Sequence, residues 1–138
     1  MHLLAQPIER DNALRNDYSH RSFPAFDLTR LLQTVFAPKG GERVCILIDL
    51  PDPSAMAGFA FLRHPERSIQ RHAFEVFYQG LQRGVLSQLG LQGGEMFAYQ
   101  ITGGSNLDLP ESAVDAHGNS LSLRDAVYSR YDLILCIS

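Results

Sequence analysis

The chain has 138 residues, of which 45% are hydrophobic and 20% charged, and its formal net charge is -3. This length and composition predict one globular domain with a core of its own and exclude an intrinsically disordered chain. The slightly negative charge gives no electrostatic argument for binding nucleic acid or an anionic membrane, and no stretch approaches the roughly 20 apolar residues of a membrane-spanning helix.

Residues 1–24 are mixed in composition and predict an irregular amino-terminal arm ahead of an α/β domain at 25–138. The arm lacks the basic segment followed by an apolar stretch that marks a secretory signal peptide. Cys45 and Cys136 fall inside apolar runs, and neither has a Cys or His neighbour at a metal-binding spacing. Two buried free thiols are typical of a cytoplasmic protein, so the cytoplasm is the expected compartment.

The first helix is predicted to start after Asp27 and to run to Phe36, because apolar residues recur there at helical spacing behind a good N-cap residue. A glycine-rich turn at 38–41 ends it. The continuous aliphatic run that follows predicts a strand near 43–49 that is covered on both faces. The connection from 50 to 65 is long and apolar, so we expect it to pack onto the fold.

A second helix is predicted from Pro65, which fits a first-turn position, to about Gly90. Its apolar stripe contains Gly80 and Gly84. Because a glycine costs roughly 1 kcal/mol against alanine inside a helix, two of them on one stripe predict a close approach of this helix to the sheet.

Two further strands are predicted near 95–101 and 131–137. A polar loop at 102–119 separates them, together with a short helix that Ser122 and Asp125 would cap as a pair. The alternation of helices and strands predicts an α/β fold, specifically a three-layer Rossmann-like domain with a mostly parallel sheet and flanking helices.

The first candidate ligand-binding residues are Asp49 and Asp52, in the sequence Ile-Asp-Leu-Pro-Asp-Pro. Acidic residues at the carboxyl end of a parallel strand are where α/β enzymes place metal or phosphate chemistry. Their spacing of three differs from the spacing of two in the phosphotransfer phosphatases, which argues against catalysis. Two alternatives stay open: a strand-terminating turn, and a hydrogen bond from Asp49 to a ligand or a neighbouring loop.

The second candidate is the run Thr102, Gly103, Gly104 and Ser105. A glycine-rich turn after a parallel strand can offer backbone N–H groups to an anion. Neither the dinucleotide fingerprint nor the Walker pattern is present, so a flexible loop is the alternative. Together with Asp49, this run would bound a pocket for a small molecule or a nucleotide.

Arg63, Arg67 and Arg71 recur every four residues and predict one basic helix face. That face would bind an anion or pair in solvent with Glu66 and Glu75. The five histidines form no H-E-x-x-H pattern, and no serine lies in a G-x-S-x-G elbow. We therefore assign no catalytic residue, no metal ligand and no cofactor within this chain.

Two segments carry a resemblance to a known family. The first, 26–49, joins an amphipathic helix to the turn Pro-Lys-Gly-Gly-Glu-Arg-Val and to an aliphatic strand that ends in Asp49. The second, 122–136, ends in the strand Tyr-Asp-Leu-Ile-Leu. Together they resemble the amino-terminal domain of the aminopeptidase T metallopeptidases, which include leucyl and thermophilic aminopeptidases.

The resemblance implies a non-catalytic amino-terminal α/β domain that helps to shape the cleft and the assembly of an aminopeptidase-like protein. In that family, residues late in the chain bind two metal ions, and none of them carries over to a position here. A divalent metal and a peptide substrate would therefore belong to a part beyond Ser138, where we expect the chain to continue because its last strand ends there. The 50–65 connection and the 102–119 loop depart from a simple match.

Two alternatives to this hypothesis stay open. One is a self-contained module that binds a small molecule or nucleotide between Asp49 and the 102–106 loop. The other is a structural or oligomerisation domain that uses the apolar segment 55–62 as an interface, which would make a second copy of the chain its partner.

Overall fold

Helices pack on a five-stranded mixed sheet in the computed structural model, which describes residues 26–102 and 109–138. The strands are β1 (Arg43–Leu50), β2 (Gln92–Gln100), β3 (Ser112–Val114), β4 (Ser120–Ser122) and β5 (Leu133–Ile137). Their order is β4-β3-β2-β1-β5; β1 pairs in parallel with β2 and β5, and β3 pairs antiparallel with β2 and β4. The predicted α/β class is confirmed. Compared with the predicted strands, β2 begins and ends earlier and β5 begins later.

The helical elements are α1 (Leu28–Phe36), a 3-10 segment (Pro53–Arg63), a long helix α2 over 68–89 and a short helix α3 (Leu123–Tyr128). Helix α2 is built from successive α and π turns, namely Ser68–His72, Ala73–Tyr78, Leu81–Val85 and Leu86–Leu89. The prediction that α2 starts at Pro65 is wrong, because Pro65 lies in a turn and the helix begins at Ser68.

Helix α1 begins where its sequence predicts. The Asp27 carboxylate accepts a hydrogen bond from the Arg30 N–H at 3.2 Å and so satisfies one of the free donors of the first turn. The helix ends at Ala37, which adopts a left-handed conformation with φ 46°. Leu28 and Leu32 are buried against the sheet.

Strand β1 is an interior strand between β2 and β5, and its apolar side chains alternate between two cores. Ile46 and Ile48 point to the face covered by α1, the 3-10 segment and α2, which we call the major face. Cys45 and Leu47 point to the face covered by α3, which we call the minor face. Cover on both sides explains the uninterrupted aliphatic sequence of β1.

The polar loop predicted at 102–119 holds a strand, so that prediction is wrong in part. Strand β3 lies inside it, and a turn connects β3 to β4. In this turn the Asp115 carboxylate accepts hydrogen bonds from the backbone N–H groups of His117 and Asn119, both at 2.9 Å. The Gly58 N–H of the 3-10 segment donates to the carbonyl oxygen of Ala116 at 2.8 Å and ties the turn to the major face.

The two glycines of α2 do not act as the sequence predicts. A Cβ atom on Gly80 would lie 2.8 Å from Cδ2 of Leu28, so the close approach is to α1 and not to the sheet. Gly84 has φ 139° and marks a kink in the helix, and a Cβ there would meet nothing within 4 Å.

The prediction of two buried thiols holds for one cysteine. Cys45 is buried, whereas Cys136 is exposed, because β5 is an edge strand and α3 leaves this part of the minor face uncovered. Within the described parts of the chain, no helix is long and apolar enough to cross a membrane.

Candidate functional site

The helical elements that follow β1 and β2 in the chain cover opposite faces of the sheet. After β1 the chain enters the 3-10 segment on the major face, and after β2 it proceeds to β3 and then to α3 on the minor face. The Ile101 N–H donates to the Leu50 carbonyl oxygen at 2.9 Å and holds the two strand ends together. In parallel α/β sheets, ligands bind outside the carboxyl edge at such a point of divergence.

A cavity of about 310 Å³ opens at this edge, and we call it the edge cleft. Its apolar wall is formed by Leu50, Ala55 and Phe61. The polar and remaining lining residues are Pro51, Asp52, His64, Glu66 and Arg67. An apolar wall with a few charged groups is the usual composition of a small-molecule site.

Asp52 lies in the edge cleft and accepts hydrogen bonds from Ser54. Its Oδ1 accepts from the Ser54 hydroxyl at 2.7 Å and from the Ser54 N–H at 3.0 Å, which makes it the N-cap of the 3-10 segment. The hydroxyl and then the backbone hydrogen bond lower the pKa of Asp52 below its usual value. The carboxylate therefore stays ionised at neutral pH and orients the entry to the segment.

Asp49 is half-buried beside the cleft and bonds to α2. The Gln70 Nε2 group donates to both the carbonyl oxygen and Oδ1 of Asp49, each at 2.8 Å. Gln70 is itself buried, so it joins the end of β1 to the start of α2. No sequence pattern indicated this contact, because a single glutamine on a helix carries no signal of its partner.

Thr102 follows β2 and is exposed at the same edge. Gly103, Gly104 and Ser105 lie outside the described residues, so their predicted role in binding an anion stays a prediction. The structure thus brings Asp49, Asp52 and Thr102 to one edge of the sheet and lines the edge cleft with one of them, Asp52.

The predicted basic helix face is divided between two elements, because a turn separates Arg63 from α2. Arg63 ends the 3-10 segment, and Arg67 precedes α2 and lines the edge cleft. The Arg71 guanidinium donates to the carbonyl oxygen of Leu62 and fastens the turn. The 4-residue spacing therefore does not mark one helix face here, and binding of an anion by these arginines stays a prediction.

His64 and Glu66 line the edge cleft as a neighbouring pair, with Nδ1 and Oε1 3.5 Å apart. Both side chains are more than half exposed. The sequence placed His64 and Glu66 beside the predicted basic helix face, because the turn that brings them to the cleft has no distinctive motif.

Tyr99 faces the minor core near the same edge of the sheet. Burial is the main cause that raises the pKa of Tyr99 to about 12, and the nearby charge of Asp49 contributes to the same direction. Its hydroxyl therefore stays protonated at neutral pH and acts as a structural group there.

Within residues 26–102 and 109–138, no three His, Cys, Asp or Glu side chains cluster closely enough to hold a metal ion. Comparisons of the chain with protein-family models, with curated proteins and with solved structures find no match. The edge cleft is therefore the feature of the described structure that points to a function.

Proposed function

We propose that this chain is a non-catalytic, three-layer Rossmann-like α/β domain that binds a small anionic molecule in the edge cleft. We further propose that it serves in the cytoplasm as the amino-terminal domain of an aminopeptidase-like metallopeptidase, where the cleft helps to shape the substrate site. The observation that carries the binding role is the position of the cleft at the carboxyl end of β1, an interior strand of the parallel part of the sheet. The resemblance of segments 26–49 and 122–136 supports the peptidase context.

The edge cleft offers one guanidinium to an anion, with the Asp52 and Glu66 carboxylates in the same lining. Asp52 is engaged by Ser54, and Glu66 lies beside His64. Arg67 forms no ion pair with any residue in the described ranges, so its guanidinium is available to a ligand. A guanidinium binds a carboxylate or phosphate through two parallel hydrogen bonds, while the apolar wall accommodates a non-polar group.

The binding role is tested by NMR titration of the chain with three probes: N-acetyl-leucine, AMP and leucinamide. We expect the two anions to shift amide signals at 52–55 and 64–70, and the cationic leucinamide to have little effect. The variant Arg67→Gln should weaken anion binding by about tenfold, the value of one hydrogen bond to a charged group.

The matched control is Arg83→Gln, since Arg83 is an exposed arginine on α2 away from the cleft. It should bind the probes as the unchanged protein does. Equal affinity of the Arg67 variant, or signal shifts confined to other parts of the chain, would contradict the binding role.

The peptidase context is tested separately. The reading frame beyond the codon for Ser138 should encode a segment rich in Glu, His and Asp, and a stop codon there would remove this context while leaving the binding role in place. The 138-residue chain itself should not hydrolyse leucine p-nitroanilide with added Zn²⁺ or Co²⁺, and measurable turnover by purified chain would overturn the non-catalytic assignment.

A further inference from the structure

The lining of the edge cleft carries charges of both signs. Asp52 and Glu66 each contribute a carboxylate, and Arg67 contributes a guanidinium. His64 adds a positive charge only when it is protonated. A simple anion that approaches the guanidinium is repelled by the two carboxylates, and a simple cation meets the reverse situation. The lining therefore complements best a ligand that carries one charge of each sign.

Asp52 offers one carboxylate oxygen to a cationic group. Both hydrogen bonds from Ser54 go to Oδ1 of Asp52 and hold the carboxylate in one orientation. Within residues 26–102 and 109–138, the other oxygen, Oδ2, has no hydrogen bond and no ion pair. An ammonium group donates to such an oxygen in a charge-assisted hydrogen bond. The start of the 3-10 segment therefore presents a fixed acceptor at the cleft.

The guanidinium comes from a different element. Arg67 directly precedes α2, whereas Asp52 directly precedes the 3-10 segment, so two separate parts of the chain supply the opposite charges. Arg67 is half-buried and forms no ion pair with the residues that the structure describes. Partial removal from water strengthens its interaction with a carboxylate.

The uncharged part of the lining and the size of the cleft restrict the ligand further. Pro51 is exposed and Ala55 is half-buried, and both offer accessible apolar surface to a ligand. The volume of about 310 Å³ lies at the lower end of the range of roughly 300–1,000 Å³ that is usual for ligand pockets. The ligand is therefore a small molecule with a short apolar group.

We propose that the ligand of the edge cleft is a zwitterion, namely a free α-amino acid with an aliphatic side chain. Its carboxylate binds the Arg67 guanidinium, and its ammonium group donates to Asp52. Its side chain lies on Pro51 and Ala55. This inference rests on the proposed binding role of the cleft and names the class of its ligand.

The test is an NMR titration of the full chain with leucine and with 4-methylpentanoate, which has the same carboxylate and the same side chain but no ammonium group. We expect leucine to shift the amide signals of 52–55 and 64–70 and to bind roughly two- to fivefold more tightly, the value of one exposed ion pair. Asp52→Asn should remove this preference, because asparagine keeps the oxygen that caps the 3-10 segment but lacks the charge.

Glu75→Gln is the matched control, since Glu75 is an exposed carboxylate on α2 outside the cleft. This variant should keep the preference for leucine. Each comparison is a ratio of two affinities for the same variant, so a general loss of stability does not imitate the expected result.

Two outcomes separate this inference from the proposed function. Equal binding of leucine and 4-methylpentanoate, or a preference for leucine that survives Asp52→Asn, would overturn the zwitterion while anion binding that depends on Arg67 still supports the proposed function. Absence of signal shifts at the cleft with both compounds would overturn the two together.

Discussion

Gln70 is the buried polar residue on which the geometry of the candidate site depends most directly. It is 6% exposed, and its amide nitrogen donates twice to Asp49. The carboxylate and the carbonyl of Asp49, at the end of an interior strand, would otherwise lack a donor on this side. Gln70 therefore holds the end of β1 against α2 and keeps the Asp49 carboxylate in one orientation.

We predict that Gln70→Ala lowers the free energy of unfolding by about 1–3 kcal/mol, because it leaves a half-buried carboxylate and a carbonyl without their donor. Urea unfolding followed by circular dichroism measures the change. Gln79→Ala is the matched control, since Gln79 lies on the same helix and its side chain makes no hydrogen bond to the residues that the structure describes. Equal losses for the two variants would show that Gln70 contributes only its helical packing.

The buried thiol of Cys45 gives the fold a dependence on alkaline pH. Burial is the main cause that raises the pKa of Cys45 from 9.0 to about 12. In the unfolded chain the thiol ionises near its usual value, so its contribution to stability is present below pH 9 and is lost as pH rises toward 12. We expect Cys45→Ala to reduce the fall in the urea midpoint between pH 8 and pH 10.5.

Cys136 serves as the contrast, because it is exposed in the folded chain. Ellman's reagent should titrate one thiol per native chain and two after unfolding, and Cys136→Ala should remove the native reaction. Two reactive thiols in the native chain would contradict the packing of Cys45 under α3.

At the scale of the elements, the start of β2 is the most constrained backbone. Gly93 lies opposite Val44 beside an irregularity in the parallel register, and its φ is 87°. A Cβ atom there would lie 2.7 Å from the carbonyl oxygen of Val44. Glycine is therefore required here for two reasons: its φ is positive, and a Cβ atom would collide with the Val44 carbonyl oxygen.

We predict that Gly93→Ala destabilises the fold more than Gly41→Ala does. Both residues have positive φ, but a Cβ on Gly41 would meet nothing within 4 Å. The control variant should cost about 1–2 kcal/mol from the backbone angle alone, and Gly93→Ala should exceed it because a strand must shift. Thermal unfolding of the two variants gives the comparison, and similar melting temperatures would contradict the contact with Val44.

The sequence predicted the elements whose signals are local. Asp27 caps α1 through its own side chain, and the Ser122 hydroxyl accepts from the Asp125 N–H at 3.2 Å as the capping pair requires. The aliphatic run of β1 reflects burial on both faces. Strands β3 and β4 were not predicted, because each has three residues and a segment of that length is too short to show an alternating apolar pattern.

Asp49 and Asp52 lie at the carboxyl end of β1, which can be read from the sequence of the strand, and their role in binding a ligand stays a prediction. The other residues of the edge cleft could not be predicted. Phe61 and His64 join the edge cleft only because the 3-10 segment folds back over the major face. That path depends on tertiary packing, which no local pattern records.

At the scale of the whole molecule, the 3-10 segment is part of the core. Met56 and Phe61 are fully buried, and Phe59 packs its ring 4.8 Å from that of Phe74. The apolar residues of 55–62 thus face the sheet and α2. An interface between copies of the chain, if formed through this segment, would require these side chains to leave the core, so oligomerisation through 55–62 stays a prediction without support from the packing.

We predict that Phe61→Ala lowers the free energy of unfolding by roughly 3–5 kcal/mol, the usual cost of removing a buried phenylalanine. Phe36→Ala, at a side chain that is 37% exposed, should cost much less. Sedimentation should show the same mass for both variants and the unchanged chain. A change of mass with unaltered stability in Phe61→Ala would instead indicate an interface.

The hydrogen bond from the Gly58 N–H to the Ala116 carbonyl joins the 3-10 segment to the β3–β4 turn, two parts that are far apart in the chain. Detachment of the β3–β4 hairpin would expose this amide to water before the central strands separate. The exchange rate of one amide hydrogen therefore reports a partial opening of the molecule. The exchange rate of the Gly58 amide therefore measures whether the β3–β4 hairpin opens independently of the parallel strands β1 and β2.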